Sequence, residues 1–65
     1  MTKELLDRMP ECVVQALDTF KRRRRAELLT RSEVAILAYE YTKGLRDAGL
    51  ITDKERQVLF IYTTV

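Results

Sequence analysis

The sequence predicts a mainly helical α+β fold: two helices in a hairpin plus one C-terminal β-strand per chain, intertwined as a homodimer. Three observations predict it. Apolar residues recur at helical spacing between Pro10 and Ala48, the final stretch is almost wholly β-branched or aromatic, and the 65 residues hold neither a second strand nor the usual staples of a small domain. A chain of this size buries only about 60% of the surface its unfolded form exposes, so a monomeric core is marginal. Histidine is absent, Cys12 is the single cysteine, and there are two glycines and one proline. That inventory excludes internal disulfides, His/Cys metal sites, Ser-His triads and glycine-rich phosphate loops. Oligomerisation is the remaining staple, and residues 1–65 read as one small dimerising domain.

Residues 2–9 offer at most a helical turn before Pro10. Proline is comfortable at a first helical position, where its missing N–H costs nothing, so the first secure helix is expected over about 10–28. Val13, Leu17, Phe20 and Leu28 form its apolar stripe, and with Arg24 on the same stripe either the helix end projects beyond the core or Arg24 snorkels along it. Thr30-Arg31-Ser32-Glu33 matches a capping box, in which a threonine hydroxyl and a glutamate satisfy each other's backbone amides. The helix it opens, over about 31–48, has an apolar seam of Val34, Leu37, Ala38, Tyr41, Leu45 and Ala48, and Gly49 supplies its left-handed stop. The short link makes the two helices neighbours.

Thr52-Asp53-Lys54-Glu55 is a second capping-box match, which argues for a third helix and for an all-α three-helix dimer as the alternative fold. Against it, all of Val58–Val65 except Leu59 is β-branched or aromatic, which favours a strand over about 57–64. A lone strand leaves its ladder groups unpaired, so the partner strand must come from a second copy. The expected dimer interface is therefore Leu37, Tyr41 and Leu45 with Val58, Phe60, Ile61 and Tyr62.

Charge is unevenly placed. Residues 1–32 carry eight Lys/Arg against five Asp/Glu, whereas residues 33–65 carry four against five. The excess is the run Lys21-Arg22-Arg23-Arg24-Arg25. Five consecutive helical residues turn through about 400°, so these charges ring a helix instead of lining one groove-facing stripe. Arg22, Arg23, Arg24 and Arg25, with the off-seam Tyr39, are candidate contacts for a partner, a protein surface ahead of nucleic acid. No strand residue is a base reader, which weighs against sequence-specific DNA binding. Glu33 and Glu40 share a helix face, but a solvated face explains them better than catalysis. Cys12 reads as a core or boundary thiol with no histidine to activate it. Neither enzyme activity, cofactor, metal nor membrane association is expected, and with no apolar span or signal segment the expected location is the cytoplasm.

The opening Met1-Thr2-Lys3-Glu4-Leu5-Leu6-Asp7-Arg8-Met9-Pro10, the arginine-rich segment and the length resemble small early proteins of lambdoid temperate bacteriophages, encoded between the exonuclease and excisionase genes. The resemblance covers the whole chain and carries no residue-level site signature. It implies a non-enzymatic regulatory protein, made early in infection in the host cytoplasm, that promotes lytic development by acting on the host. Gly49–Glu55 also partly matches the break of short bacterial oligomerisation hairpins, with Arg56 where that pattern has an aromatic residue.

Overall fold

The computed structural model describes residues 2–65; Met1, the first residue of the Met1–Pro10 segment, lies outside the described residues. The described residues form four helices: α1 (Thr2–Arg8), α2 (Glu11–Arg25), α3 (Arg31–Asp47) and α4 (Asp53–Thr64). The radius of gyration is 11.1 Å and the long axis 31 Å. The mainly α expectation holds, and the C-terminal strand does not.

α1 is a true helix of two turns. It stops at Arg8 because the residue preceding a proline is driven out of the helical region. Pro10 then occupies the N-cap of α2, with φ −56° and ψ 147°, and its carbonyl accepts from Val13 at 3.0 Å and Val14 at 3.3 Å. The chain therefore turns at Pro10 and continues as helix, and Leu5 on α1 and Val13 and Leu17 on α2 are buried in one core.

α2 ends at Arg25, three residues short of the expected end. Glu27 adopts φ 60°, Leu28 N–H donates to the Arg23 carbonyl at 2.9 Å, and Glu27 N–H donates to Arg24 at 3.0 Å. These two bonds define a Schellman stop, which normally places glycine at the left-handed position. A glutamate stands there instead, so the usual sequence signal is missing. Leu28 consequently leaves the apolar stripe and is 73% exposed.

α3 begins at Thr30 with both capping-box bonds made: Glu33 N–H to Thr30 Oγ1 at 3.1 Å and Thr30 N–H to Glu33 Oε1 at 2.9 Å. Its buried face is Val34, Ala38, Thr42 and Leu45. The seam is thus rotated from the expected one: Leu37 and Ala48 are exposed, Tyr41 is half-buried, and Thr42 is fully buried with its hydroxyl donating to the Ala38 carbonyl at 2.7 Å. Such a back-bond satisfies the buried oxygen within its own helix.

The turn after α3 repeats the construction of the turn before it. Gly49 has φ 79°, Leu50 N–H donates to Leu45 at 3.0 Å, and Gly49 N–H donates to Arg46 at 2.9 Å. Thr52 and Glu55 then close a second capping box with the same pair of bonds, 3.1 and 2.9 Å. The segments Ala26-Glu27-Leu28-Leu29-Thr30-Arg31-Ser32-Glu33 and Ala48-Gly49-Leu50-Ile51-Thr52-Asp53-Lys54-Glu55 share the pattern Ala-x-Leu-(Leu/Ile)-Thr-x-x-Glu. Each is one helix stop followed by one helix start.

The second capping box decides the C-terminus. A helix satisfies its backbone internally, whereas this chain has no second strand to satisfy a first one. β-propensity reflects packing on a pleated, half-buried surface more than any backbone preference, and tertiary packing overrides it. Here Leu59 and Thr63, one turn apart, are both fully buried, and α4 packs against α3 more extensively than any other helix pair. Thr63 and Thr64 return their hydroxyls to the carbonyls of Leu59 at 2.8 Å and Phe60 at 2.9 Å.

The core is closed by Leu5, Val13, Leu17, Leu45, Ile51 and Leu59, flanked by Leu6, Met9, Phe20, Tyr41, Val58 and Tyr62. Fully burying one such aliphatic side chain is worth about 1.5–3 kcal/mol. Among the described residues no buried side-chain nitrogen or oxygen lacks a hydrogen-bond partner.

Candidate functional site

The expected dimer-interface residues divide between the chain's own core and its surface. Leu45 is buried inside the core at 8% exposure, so it does not await a second copy. Tyr41 sits edge-on to Phe20, ring centroids 5.9 Å apart at 81°, and burial, with a smaller effect of Cys12, pushes its hydroxyl pKa up. Phe60 packs edge-on to Tyr39 at 6.4 Å. Leu37 is exposed on α3. Only Val58, Ile61 and Tyr62 come together at one open surface.

That surface is a groove of about 1060 Å³ between α1, α2 and α4. Its walls are Leu6 from α1, Val14 from α2, and Val58, Ile61, Tyr62 and Val65 from the C-terminal segment. Thr2, Lys3, Asp7, Glu11 and Lys21 complete its lining. The four C-terminal residues fall at helical spacing, and Ile61 and Val65 are 58% and 78% exposed. Lys21 Nζ stands 3.9 Å over the Tyr62 ring, a cation–π contact that ties the edge of α2 to α4. Reading residues 57–64 as strand hid this set; reading Thr52–Glu55 as the opening of a helix puts Val58, Ile61, Tyr62 and Val65 on one face.

The arginine run is split by the fold. Arg24 turns inward and donates from Nη1 to the carbonyls of Thr64 at 2.9 Å and Val65 at 3.1 Å, so it caps α4. This satisfies carbonyls that a helix end otherwise leaves without partners, and places a cation at the negative end of the dipole. Arg22 pairs with Asp18 at 3.4 Å and donates to Thr19 Oγ1 at 3.3 Å. Arg23 and Arg25 are exposed. Thr19, Arg22, Arg23, Ala26 and Leu28 line a hollow of about 270 Å³ at the end of α2, so an exposed leucine and two arginines share one small surface. The signal for this hollow was the arginine run, but its apolar member came from an unrecognised helix stop.

A third cluster locks α4 to α3. Asp53 Oδ1 accepts from Arg46 Nη1 at 2.8 Å and Arg56 Nε at 3.1 Å, and Arg46 also reaches Asp47 at 3.2 Å. Arg46 and then Arg56 hold the Asp53 carboxyl below its ordinary pKa, and the Asp53 and Asp47 bonds raise Arg46. The Arg56 guanidinium lies 5.3 Å over Tyr39, so Tyr39, 43% exposed, is partly tied into this interface. Glu55 is lowered by the Thr52 backbone amide and then by Arg8, with which it forms an ion pair across to α1.

Cys12 is exposed at the start of α2, not a core or boundary residue as expected. Glu33 is occupied by its capping box, and the Thr30 amide and hydroxyl lower its pKa, so it is not half of a carboxylate pair with Glu40. Among the described residues no group of three or more Cys, Asp or Glu side chains is placed to hold a metal, and no helix is long and apolar enough to cross a membrane. No family model, curated protein or solved structure matches this chain.

Proposed function

We propose that this chain is a non-enzymatic binding protein that acts as a homodimer in the host cytoplasm, engaging a host protein and thereby promoting lytic development, as the resemblance to lambdoid early proteins implies. The observation that carries the reading is the hollow at the end of α2. Leu28 is 73% exposed there, its backbone fixed by the Schellman stop, and Arg22 and Arg23 line the same hollow. Leaving a leucine in water while fixing its backbone suits a surface whose apolar contact forms only with a partner, and interface cores favour apolar anchors with arginine beside them. The chemistry fits an acidic segment carrying one apolar side chain, with carboxylates taken by the guanidinium forks.

The test is binding of an acidic peptide with a central leucine, followed by capture from host lysate on wild type and on a Leu28→Ala/Arg22→Glu/Arg23→Glu variant. The variant should lose both the peptide and the partners that wild type captures. Equal behaviour of the two proteins overturns the reading. The alternative, a nucleic-acid-binding regulator using Lys21–Arg25, has fewer hands than the run suggested, since Lys21 lies over Tyr62 and Arg24 caps α4. A mobility shift at about 50 mM salt that collapses at higher salt, with no peptide binding, would favour that alternative.

A further inference from the structure

We infer that the groove between α1, α2 and α4 is the surface on which a second copy of this chain docks, each α4 seating its outer edge in the groove of the other. This rests on the homodimer reading above and says where that dimer forms. Val58, Ile61 and Val65 line the groove and recur at i, i+3 and i+7, the spacing with which a helix fills an apolar groove, and Ile61 and Val65 are exposed enough to enter one. An exposed helix edge beside an apolar groove suits a two-fold interface, in which one patch must complement itself.

The rim selects the occupant. Among the described lining residues it carries two cations, Lys3 and Lys21, and two carboxylates, Asp7 and Glu11. An acidic partner would meet Asp7 and Glu11, and a basic one Lys3 and Lys21. A rotated copy of the same face carries both signs in equal number, so its cations can be set over the other copy's carboxylates. Charge placed in this way fixes register and disfavours wrong partners more than it adds affinity. The dimer so formed leaves the arginine hollow outside the interface, because Arg22, Arg23 and Leu28 do not line the groove.

The experiment is sedimentation of the full chain from about 1 to 200 μM, with helical circular dichroism as the folding control. Wild type should dimerise, and Ile61→Asp/Val65→Asp, altered at two exposed positions, should stay helical and sediment as monomer over the same range. Lys3→Glu/Lys21→Glu and Asp7→Lys/Glu11→Lys should each weaken self-association at least tenfold, and mixing the two should restore a heterodimer. A wild-type dimer that is unmoved by Ile61→Asp/Val65→Asp, or charge-reversed pairs that do not rescue each other, overturns the groove assignment and leaves the homodimer standing. A wild type that is monomeric at 200 μM overturns both. If that monomer binds neutral phospholipid vesicles and Ile61→Asp/Val65→Asp does not, the occupant is a lipid surface instead of a second copy.

Discussion

The two turns that flank α3 are built to one plan and finished differently. Both stop a helix with a Schellman pair and restart it with a threonine–glutamate box, and both expose their first leucine, Leu28 at 73% and Leu50 at 51%. The difference lies in the next residue and in the charges. Ile51 is buried at 6% in the core, and Arg46, Asp53 and Arg56 tie the second turn to both of its helices. Leu29 is only half-buried, and the residues around the first turn put their cations outward or onto α4. One turn holds the fold together, and the other presents side chains to solvent. A common local design thus serves opposite ends, depending on whether its apolar residue meets the core.

Ile51→Ala should therefore be the most damaging change in either turn. A buried isoleucine cut to alanine costs about 2–4 kcal/mol in transfer and cavity terms. A domain of this size is worth roughly 3–10 kcal/mol in all, at about 0.05–0.15 kcal/mol per residue. By urea unfolding, Ile51→Ala should lose a large share of the total stability, whereas Leu29→Ala should lose less than half as much. Equal losses would show that the first turn is as firmly seated as the second.

Replacing the capping threonines comes next. Thr30→Ala and Thr52→Ala each remove one side-chain acceptor and should cost about 1 kcal/mol, within the 0.5–2 kcal/mol such caps span. In a domain this small about 1 kcal/mol moves the thermal midpoint by roughly 4–8 °C. Thr52→Ala should be the worse of the two, because Glu55 also pairs with Arg8 on α1 and a loosened box unseats that contact. Identical midpoints would remove any structural role for the Arg8–Glu55 pair.

The left-handed positions give effects of similar size, with opposite signs. Gly49→Ala forces a side chain into φ 79° and should lose about 1 kcal/mol, although a Cβ there meets nothing within 4 Å. Glu27→Gly relieves roughly 1–2 kcal/mol of left-handed strain at φ 60° against an unfolded-state entropy cost of about 0.4–1 kcal/mol, so a net gain should be read as a raised thermal midpoint. No gain would mean that Glu27 makes a compensating contact.

These positions also explain what was legible. α3 could be read almost to the residue because its start is a complete capping box and its stop a glycine. The same box at Thr52 was visible, yet Val58–Val65 outweighed it: strand propensity carries no information about whether a strand has a neighbour, and only packing on α3 supplies that. The end of α2 was hidden because Glu27 does a glycine's work, and α1 because seven residues give too little periodicity. The groove followed these misreadings, since most of its lining is α1 and α4. The arginine run was plain in composition, but its division into a cap for α4 and an outward cluster depends on where α4 ends, a distance of forty residues along the chain.

Acid separates the turns a last time. Asp53 and Glu55 at the second turn, and Glu33 at the first, are held below the ordinary carboxylate range by their hydrogen bonds. A carboxylate with a lower pKa folded than unfolded stabilises the fold at pH values above its unfolded pKa. As pH falls the unfolded chain binds its protons first, so that stability drains away until the folded pKa is passed. Stability should thus be level near neutrality and fall on the acid side of about pH 4–4.5, where free carboxyls titrate. Because two of the three groups sit at one turn, Asp53→Asn/Glu55→Gln should flatten this acid limb more than Glu33→Gln does, measured as denaturation midpoint against pH. High salt distinguishes the causes. At 1 M the Debye length is about 3 Å, so the part due to Arg46 and Arg56 at Asp53 should shrink while the backbone-donated part at Glu33 and Glu55 persists. An acid limb flattened equally by either variant would mean that the ion network at the second turn adds nothing to the capping boxes, and that Ile51 alone makes the two turns differ.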